Sequence, residues 1–311
     1  MAAGEFDLIA RYFRPLGLAR TDVRLGIGDD AAVLQLESGS DLVVTTDALV
    51  HGRHFLDGAA PRSLGHRALA VNLSDLAAMG AQPAWALLAL TLPQADEPWL
   101  REFAQGLGAL ARQHDVALVG GNMARGPFNI CVQLLGNVPR GAALLRSGAR
   151  AGDGVYVTGT PGDAAAGRES HAGLRERFEY PSARVTMGIA LRGIASACID
   201  VSDGLLADLG KLLQASGAGA ELECGSLPLS AGLLAAVGRE AGERIALMGG
   251  EDYELCFAVP PSRQAAIAAL RRPDLCSITQ IGTVVRGSGV TVLRGGQTLV
   301  VGQQGFDHFP I

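Results

Sequence analysis

Lysine is nearly missing from this chain. Lysine and arginine together number 26, but Lys211 is the only lysine, and the arginines are scattered. With a formal charge of -5 the sequence lacks the clustered basic surface that a phosphate backbone requires, which excludes a general nucleic-acid binder. Cysteine is equally uninformative as a scaffold. Cys131, Cys198, Cys224, Cys256 and Cys276 are odd in number, widely spaced and free of any CxxC pair, so neither a disulfide framework nor a zinc site is indicated. That usage fits a reducing cytoplasm, the expected location. The start, MAAGEFDLIARYF, is acidic and helically patterned where a signal peptide would be basic and continuously apolar. The longest apolar stretch, Ala84 to Leu92, is too short to span a bilayer, so no membrane partner is expected.

Familiar nucleotide signatures are missing as well. Gly210 and Lys211 have the wrong upstream spacing for a P-loop and are followed by Leu212, so Lys211 reads as a solvated helix residue. There is no protein-kinase glycine loop, no catalytic HRD string and no Ser-His-Asp elbow. Any nucleotide bound here must be neutralised by metal ions and arginines.

What is present is glycine, 42 residues against 14 prolines, in a chain that is 48% hydrophobic and 18% charged. This composition predicts an ordered globular protein with many tight turns, and 311 residues predict two domains first, with one large α/β domain as the alternative. Phe6, Ile9, Ala10 and Phe13 have helical spacing. DLVVTTD (Asp41 to Asp47) reads as a strand, Pro61 to Met79 as a helix closed by Gly80, AWALLALTL as a strand, and Glu97 to His114 as a helix. VALVGG and FNICVQLLGNV follow as strands.

The Gly, Ala and Arg-rich stretch Arg140 to Asp153 lacks periodicity and marks a boundary, giving domains 1–140 and 141–311. Beyond it VYVTG, IDVSDG, AELECGSL, IALMGG, YELCFAV and ITQIGTVV read as strands, with helices near Pro181 to Ile194 and Leu205 to Ala215. The fold class expected is mixed α/β (α+β).

Chemistry concentrates in aspartates that stand beside glycines or small polar residues at strand ends: Asp29, Asp30, Asp47, Asp75, Asp200 and Asp203. Singly each is an ordinary cap or turn residue. Jointly they form the oxygen-rich setting that a hard cation such as Mg2+ prefers, and such cations commonly bridge a protein carboxylate to a substrate phosphate. The adjacent Asp29 and Asp30 would repel each other unless a cation or backbone donors compensate them.

GDDAA (Gly28 to Ala32), TTDALVHGRHF (Thr45 to Phe55), NLSDLAAMGA (Asn72 to Ala81), RSGARAGD (Arg146 to Asp153), DVSDGL (Asp200 to Leu205), GGEDYEL (Gly249 to Leu255) and GFDHF (Gly305 to Phe309) stand in one order across nearly the whole chain. That order resembles the thiamine-monophosphate kinase family. The resemblance implies a ferredoxin-like N-terminal domain that pairs in a homodimer with ATP along the interface, followed by a mixed α/β C-terminal domain. It implies ATP as co-substrate, thiamine monophosphate as acceptor and several Mg2+ ions. The metal ligands it implies are Asp30, Thr45, Thr46, Asp47, Asp75, Asp200 and Asp203, with Asp29 nearby. Arg146, Ser202 and the Gly120 and Gly121 backbone are implied nucleotide contacts. His54, Glu251 and Phe306 are implied contacts to thiamine monophosphate, Glu251 complementing the thiazolium and Phe306 stacking on a ring.

Elementary chemistry agrees with that reading. A phosphate acceptor is already anionic near neutral pH, so transfer needs little base catalysis and no phosphoenzyme; the difficulty is bringing two polyanions into line. The chain departs from the family at GGNMARG, where GGDTTRG is usual. Asn122 keeps only a neutral carbonyl oxygen for a metal, Met123 and Ala124 replace hydroxyl residues, and His51 stands where Glu is common. Three readings therefore stay open: an active kinase of this family, a related ATP-using enzyme with another acceptor, and a catalytically impaired nucleotide-binding dimer.

Overall fold

The computed structural model describes residues 4–169, 171, 173–272 and 274–301. The chain divides into two compact units. The first runs to Leu76 and resumes from Ala81 to Gly141; the second takes Ala77–Gly80 and continues from Ala142.

In the first unit, α1 (Glu5–Leu8) runs on through a π turn and a 3-10 turn as far as Leu16. A ribbon of β1 (Val23–Leu25) and β2 (Val33–Leu34) comes next. Then follow β3 (Ser40–Val50), α2 (Pro61–Ala78), β4 (Gln82–Leu92), α3 (Glu97–Gln113), β5 (Ala117–Arg125) and β6 (Asn129–Pro139). The sheet order is β3-β6-β4-β5. Strands β3 and β4, joined through α2, flank the antiparallel β6, which is the split βαβ of the ferredoxin-like pattern. Strand β5 then adds parallel to β4, so the sheet is mixed.

Period-2 alternation gives this sheet two unlike faces. Ile130, Val132, Leu134, Leu88 and Leu90 are buried on one, whereas Cys131, Gln133, Leu135, Leu87 and Ala89 are only partly covered on the other. The half-open face receives the ribbon at one end, where Val23, Ala32 and Leu34 pack on Trp85 and Val119. Asp22 fixes the ribbon's entry. It accepts from Arg20 Nε at 2.9 Å and Nη2 at 2.6 Å and from Trp85 Nε1 at 3.3 Å.

The second unit contains β7 (Gly154–Thr158), α4 (Asp163–Arg168), α5 (Arg175–Glu179), α6 (Val185–Ala190), β8 (Ala197–Val201), α7 (Leu205–Ser216) and β9 (Gly219–Glu223). It ends with α8 (Ala231–Val237), α9 (Arg239–Met248), β10 (Glu254–Val259), α10 (Gln264–Ala269), β11 (Ile278–Val285), β12 (Gly289–Arg294) and β13 (Gln297–Thr298). The strands form one sheet in the order β13-β12-β9-β11-β7-β10-β8, with only β12 and β9 parallel. Leu205, Leu206, Leu209, Leu212 and Leu213 of α7 recur at helical spacing and bury against Val157, Ile199 and Val201.

Two expected elements differ. IALMGG is not a strand: its apolar residues belong to α9, where Gly242, Glu243, Ala246 and Leu247 are buried at helical spacing. A short apolar run does not distinguish the two periods, and the preceding REAGER decides for helix. The helix expected over Pro181 to Ile194 shrinks to α6, since Pro181 to Arg184 stay outside it.

Candidate functional site

Within the first unit the implied residues gather in two places. The ribbon carries Gly28, Asp29 and Asp30 in its connecting loop, and these line a cavity of about 990 Å³ together with Gly120, Gly121 and Asn122 of β5. That volume suits a ligand of nucleotide size. Asp29 turns inward on the chain, its Oδ1 accepting the Asp30 N–H at 2.8 Å. Gly121 is obligatory here: its φ is +146°, and a Cβ would stand 1.9 Å from the Leu88 carbonyl oxygen. Gly120 is freer: it needs no positive φ, and a Cβ there would meet only the movable Leu87 Cδ2, at 2.9 Å.

The second place is the face of β3 that looks toward α2. Alternation puts Thr45 and Asp47 on this face and turns Thr46 to the half-open one. Thr45 Oγ1 donates to Asp75 Oδ2 of α2 at 2.5 Å. Thr46 Oγ1 instead lies 3.3 Å from the Val132 carbonyl and 3.5 Å from Cys131 Sγ. At the end of β3, His54 Nδ1 accepts the Val50 N–H at 3.0 Å, which in the neutral ring leaves the proton on Nε2. His51 packs on Phe55 and Phe128 and pairs with Asp57 at 2.9 Å.

In the second unit two motifs are locked together through backbone. The Glu251 N–H donates to the Ser202 carbonyl at 2.7 Å, and the Tyr253 N–H to that of Val201 at 2.8 Å. So close an approach requires glycine on both sides. A Cβ on Gly250 would lie 2.5 Å from the Ser202 oxygen, and one on Gly204 would lie 2.8 Å from that of Met248. Glu251 and Tyr253 pay for the arrangement with φ of +69° and +51°, a conformation uncommon for side-chain-bearing residues.

The acids of GGEDYEL have separate duties. Asp252 is fully buried and holds the N–H of Gly162 with both oxygens, at 2.9 and 2.8 Å, so burial pushes its carboxyl well up while these bonds oppose the shift. Glu254 is buried too, accepting from Thr158 Oγ1 at 2.6 Å, Arg184 Nε at 2.6 Å and Arg177 Nη2 at 2.9 Å. Glu251 alone is partly accessible, beside Arg168 Nη1 at 3.2 Å.

Asp208 is a residue that sequence reasoning missed. Its side chain is buried, and Oδ2 accepts the N–H groups of Ser202, Asp203 and Gly204 at 2.9, 2.9 and 3.2 Å. These turn N–H groups just before α7 would otherwise be open to an anion. Here the helix's own carboxylate consumes them, so the DVSDG turn presents carboxylates and one hydroxyl rather than anion-binding amides. The available signal was an acid in the first turn of a helix entered through glycine.

Lys211 is the exposed helix residue that was expected, and it also carries two ion pairs. Its Nζ stands 2.8 Å from Asp208 Oδ1 and 2.5 Å from Asp203 Oδ2. Burial works against the Lys211 ammonium, but these bonds outweigh it and leave its pKa raised; burial likewise pushes the Asp208 carboxyl up, with Lys211 opposing.

Asp200 is buried in β8, opposite Leu255 of β10. Arg146 is exposed in the loop before β7, and that loop is anchored by Ser216 Oγ, which donates to the Arg146 carbonyl at 3.0 Å and accepts the Ala149 N–H at 3.2 Å. Phe306 lies outside the described residues.

A magnesium ion fits this donor set chemically, since the residues in question offer carboxylate and hydroxyl oxygens. Among the described residues no group of three or more His, Cys, Asp or Glu is gathered to hold a metal by protein ligands alone.

Two domain patterns of the AIR synthase related proteins match this chain, the N-terminal one over residues 28–138 and the C-terminal one over 150–294. The fold and the two matched patterns thus define a member of that class. Within it, the thiamine-monophosphate kinase of Salmonella typhimurium is 47% identical over 326 aligned positions, covering 99% of each chain. The crystal structure of thiamine-monophosphate kinase from Stenotrophomonas maltophilia K279a superposes with a TM-score of 0.88 at 44% identity, over 96% of this chain and 99% of that one. AaThiL complexed with AMPPCP and TMP superposes at 0.78 with 34% identity, over 99% of both chains. The chain belongs to the thiamine-monophosphate kinase family.

Proposed function

We propose that this protein transfers the γ-phosphoryl group of ATP directly onto the phosphate of thiamine monophosphate, giving thiamine diphosphate and ADP. The observation that carries this reading is the 47% identity to a thiamine-monophosphate kinase over 99% of both chains. A family member that binds AMPPCP, a nonhydrolysable ATP analogue, together with TMP supports the same pair of substrates.

The chain's own residues then have these tasks. Gly120 and Gly121 let the nucleotide approach β5 closely, and Asp29 and Asp30 face the same cavity. Arg146 and the Ser202 hydroxyl complete the nucleotide contacts; the Ser202 N–H is already committed to Asp208. His54 is a contact to thiamine monophosphate, and Glu251 offers a carboxylate to the cationic ring. Mg2+ would be held by Asp30, Thr45, Thr46, Asp47, Asp75, Asp200 and Asp203, with the Asn122 carbonyl as a weaker ligand, and would supply charge neutralisation for the phosphates.

The sheet's half-open face, with exposed Leu42 and Val44 on β3, supports pairing in a homodimer. Among the described residues no helix is long and apolar enough to cross a membrane, and a cytoplasmic location is part of this proposal. The test is to incubate purified protein with ATP, Mg2+ and thiamine monophosphate. Thiamine diphosphate and ADP are expected in equal amounts; phosphorylation of a different acceptor would replace the substrate assignment, and ATP binding without turnover would reject the activity.

A further inference from the structure

The contact between Lys211 and Asp203 admits a role beyond packing. Asp203 is a third exposed and Lys211, the only lysine of the sequence, rather more so. Asp208 below them is held rigidly by three backbone N–H groups of the turn. Lys211 Nζ bridges this fixed carboxylate to the looser one at 2.8 and 2.5 Å. The bridge sits on the solvent side of the DVSDG turn, on the same carboxylate that the proposed function gives to a magnesium ion.

We propose that Lys211 is a positioning residue whose ammonium serves as a tethered counter-cation for Asp203, orienting that carboxylate and competing with divalent metal for it. This rests on the phosphoryl-transfer reading above and adds a setting of metal affinity to it. Two properties follow from the geometry. Removing the ammonium leaves Asp203 with an unneutralised charge, which strengthens its attraction for a divalent ion. It also releases the carboxylate from a fixed orientation. Metal affinity rises and turnover falls together, whereas a residue that merely holds the fold together would weaken both.

The experiment compares wild type, Lys211→Gln, Lys211→Met and Lys211→Arg. Manganese binding to the nucleotide-free protein is followed by electron paramagnetic resonance, alongside the free magnesium concentration that half-saturates turnover. Lys211→Gln and Lys211→Met are expected to bind manganese about two- to fivefold more tightly, the range that a partly exposed ion pair of this kind supplies. Turnover number should fall while KM for thiamine monophosphate holds, and Lys211→Arg should restore both values. Adding Asp203→Asn to Lys211→Gln should abolish the gain in affinity. Unchanged or weaker manganese binding in a folded Lys211→Gln protein would overturn the proposal. Glutamine keeps a hydrogen-bond donor in place, so this variant reports even where methionine fails to fold. Absence of product with wild type would reject the kinase reading instead, while the manganese titration still judges Lys211.

Discussion

The N–H of Glu251 donates to the carbonyl of Ser202 at 2.7 Å, joining the turn after β8 to the turn before β10. Residues nearly fifty positions apart thereby form one rigid platform. Ser202, the proposed nucleotide contact, and Glu251, the proposed acceptor contact, are held in fixed register by this backbone bond.

Gly250 is where this platform is least tolerant. An alanine Cβ would stand 2.5 Å from the Ser202 oxygen, a distance that no rotamer relieves. Gly250→Ala should therefore cost about 1–3 kcal/mol, the usual range for overpacking. Urea denaturation measures this, and activity should fall further than the loss of folded protein explains.

Thr45 and Asp75 give a second outcome. Their 2.5 Å bond positions a carboxylate expected to hold metal. Asp75→Asn keeps the shape and the hydrogen bond but removes the charge, so turnover should drop by at least about a hundredfold, as when a key electrostatic group is lost. Circular dichroism and thermal unfolding should stay close to wild type. Full activity in the variant would remove Asp75 from the metal assignment.

The sequence made much of this architecture legible, for reasons that differ by segment. Short apolar runs of strand length, DLVVTTD and FNICVQLLGNV, marked β3 and β6, and Pro61 and Gly80 bracketed α2. IALMGG misled because six residues do not separate a period of 2 from one of 3.6. At the site, motif order pointed to DVSDG and GGEDYEL but not to their interlock, since no local pattern encodes which carbonyl meets which N–H. Nor could adjacent acids be told apart: only burial shows that Asp252 and Glu254 support the loop while Glu251 stays partly accessible. Asp208 and Lys211, at an ordinary i, i+3 spacing, look like a surface pair until the turn they close is seen.

Asp22 provides a pH dependence. Hydrogen bonds from Arg20, with a smaller one from Trp85 that together overcome burial, hold its carboxyl below the ordinary value. A folded-state pKa below the unfolded one gives stability that is fully present above the unfolded value and is lost as pH falls through the folded value. Wild type should accordingly be more stable than Asp22→Asn at pH 7, and the difference should shrink below about pH 4. Urea midpoints at neutral and acid pH check this; a constant difference would detach Asp22 from the effect.

Asn122 tests the departure at GGNMARG. It lines the cavity with Asp29 and Asp30. Restoring the charge in Asn122→Asp should lower the magnesium concentration needed for half-maximal activity, since cation affinity rises with ligand charge. No change in that requirement would place Asn122 away from any bound cation.

The most direct measurement follows the phosphoryl group itself. With ATP carrying 18O in its γ-phosphoryl group, thiamine monophosphate and Mg2+, mass spectrometry should find the label in the outer phosphoryl group of thiamine diphosphate and none on the protein. Label recovered only as inorganic phosphate, or as a phosphorylated side chain, would contradict direct transfer between the two substrates.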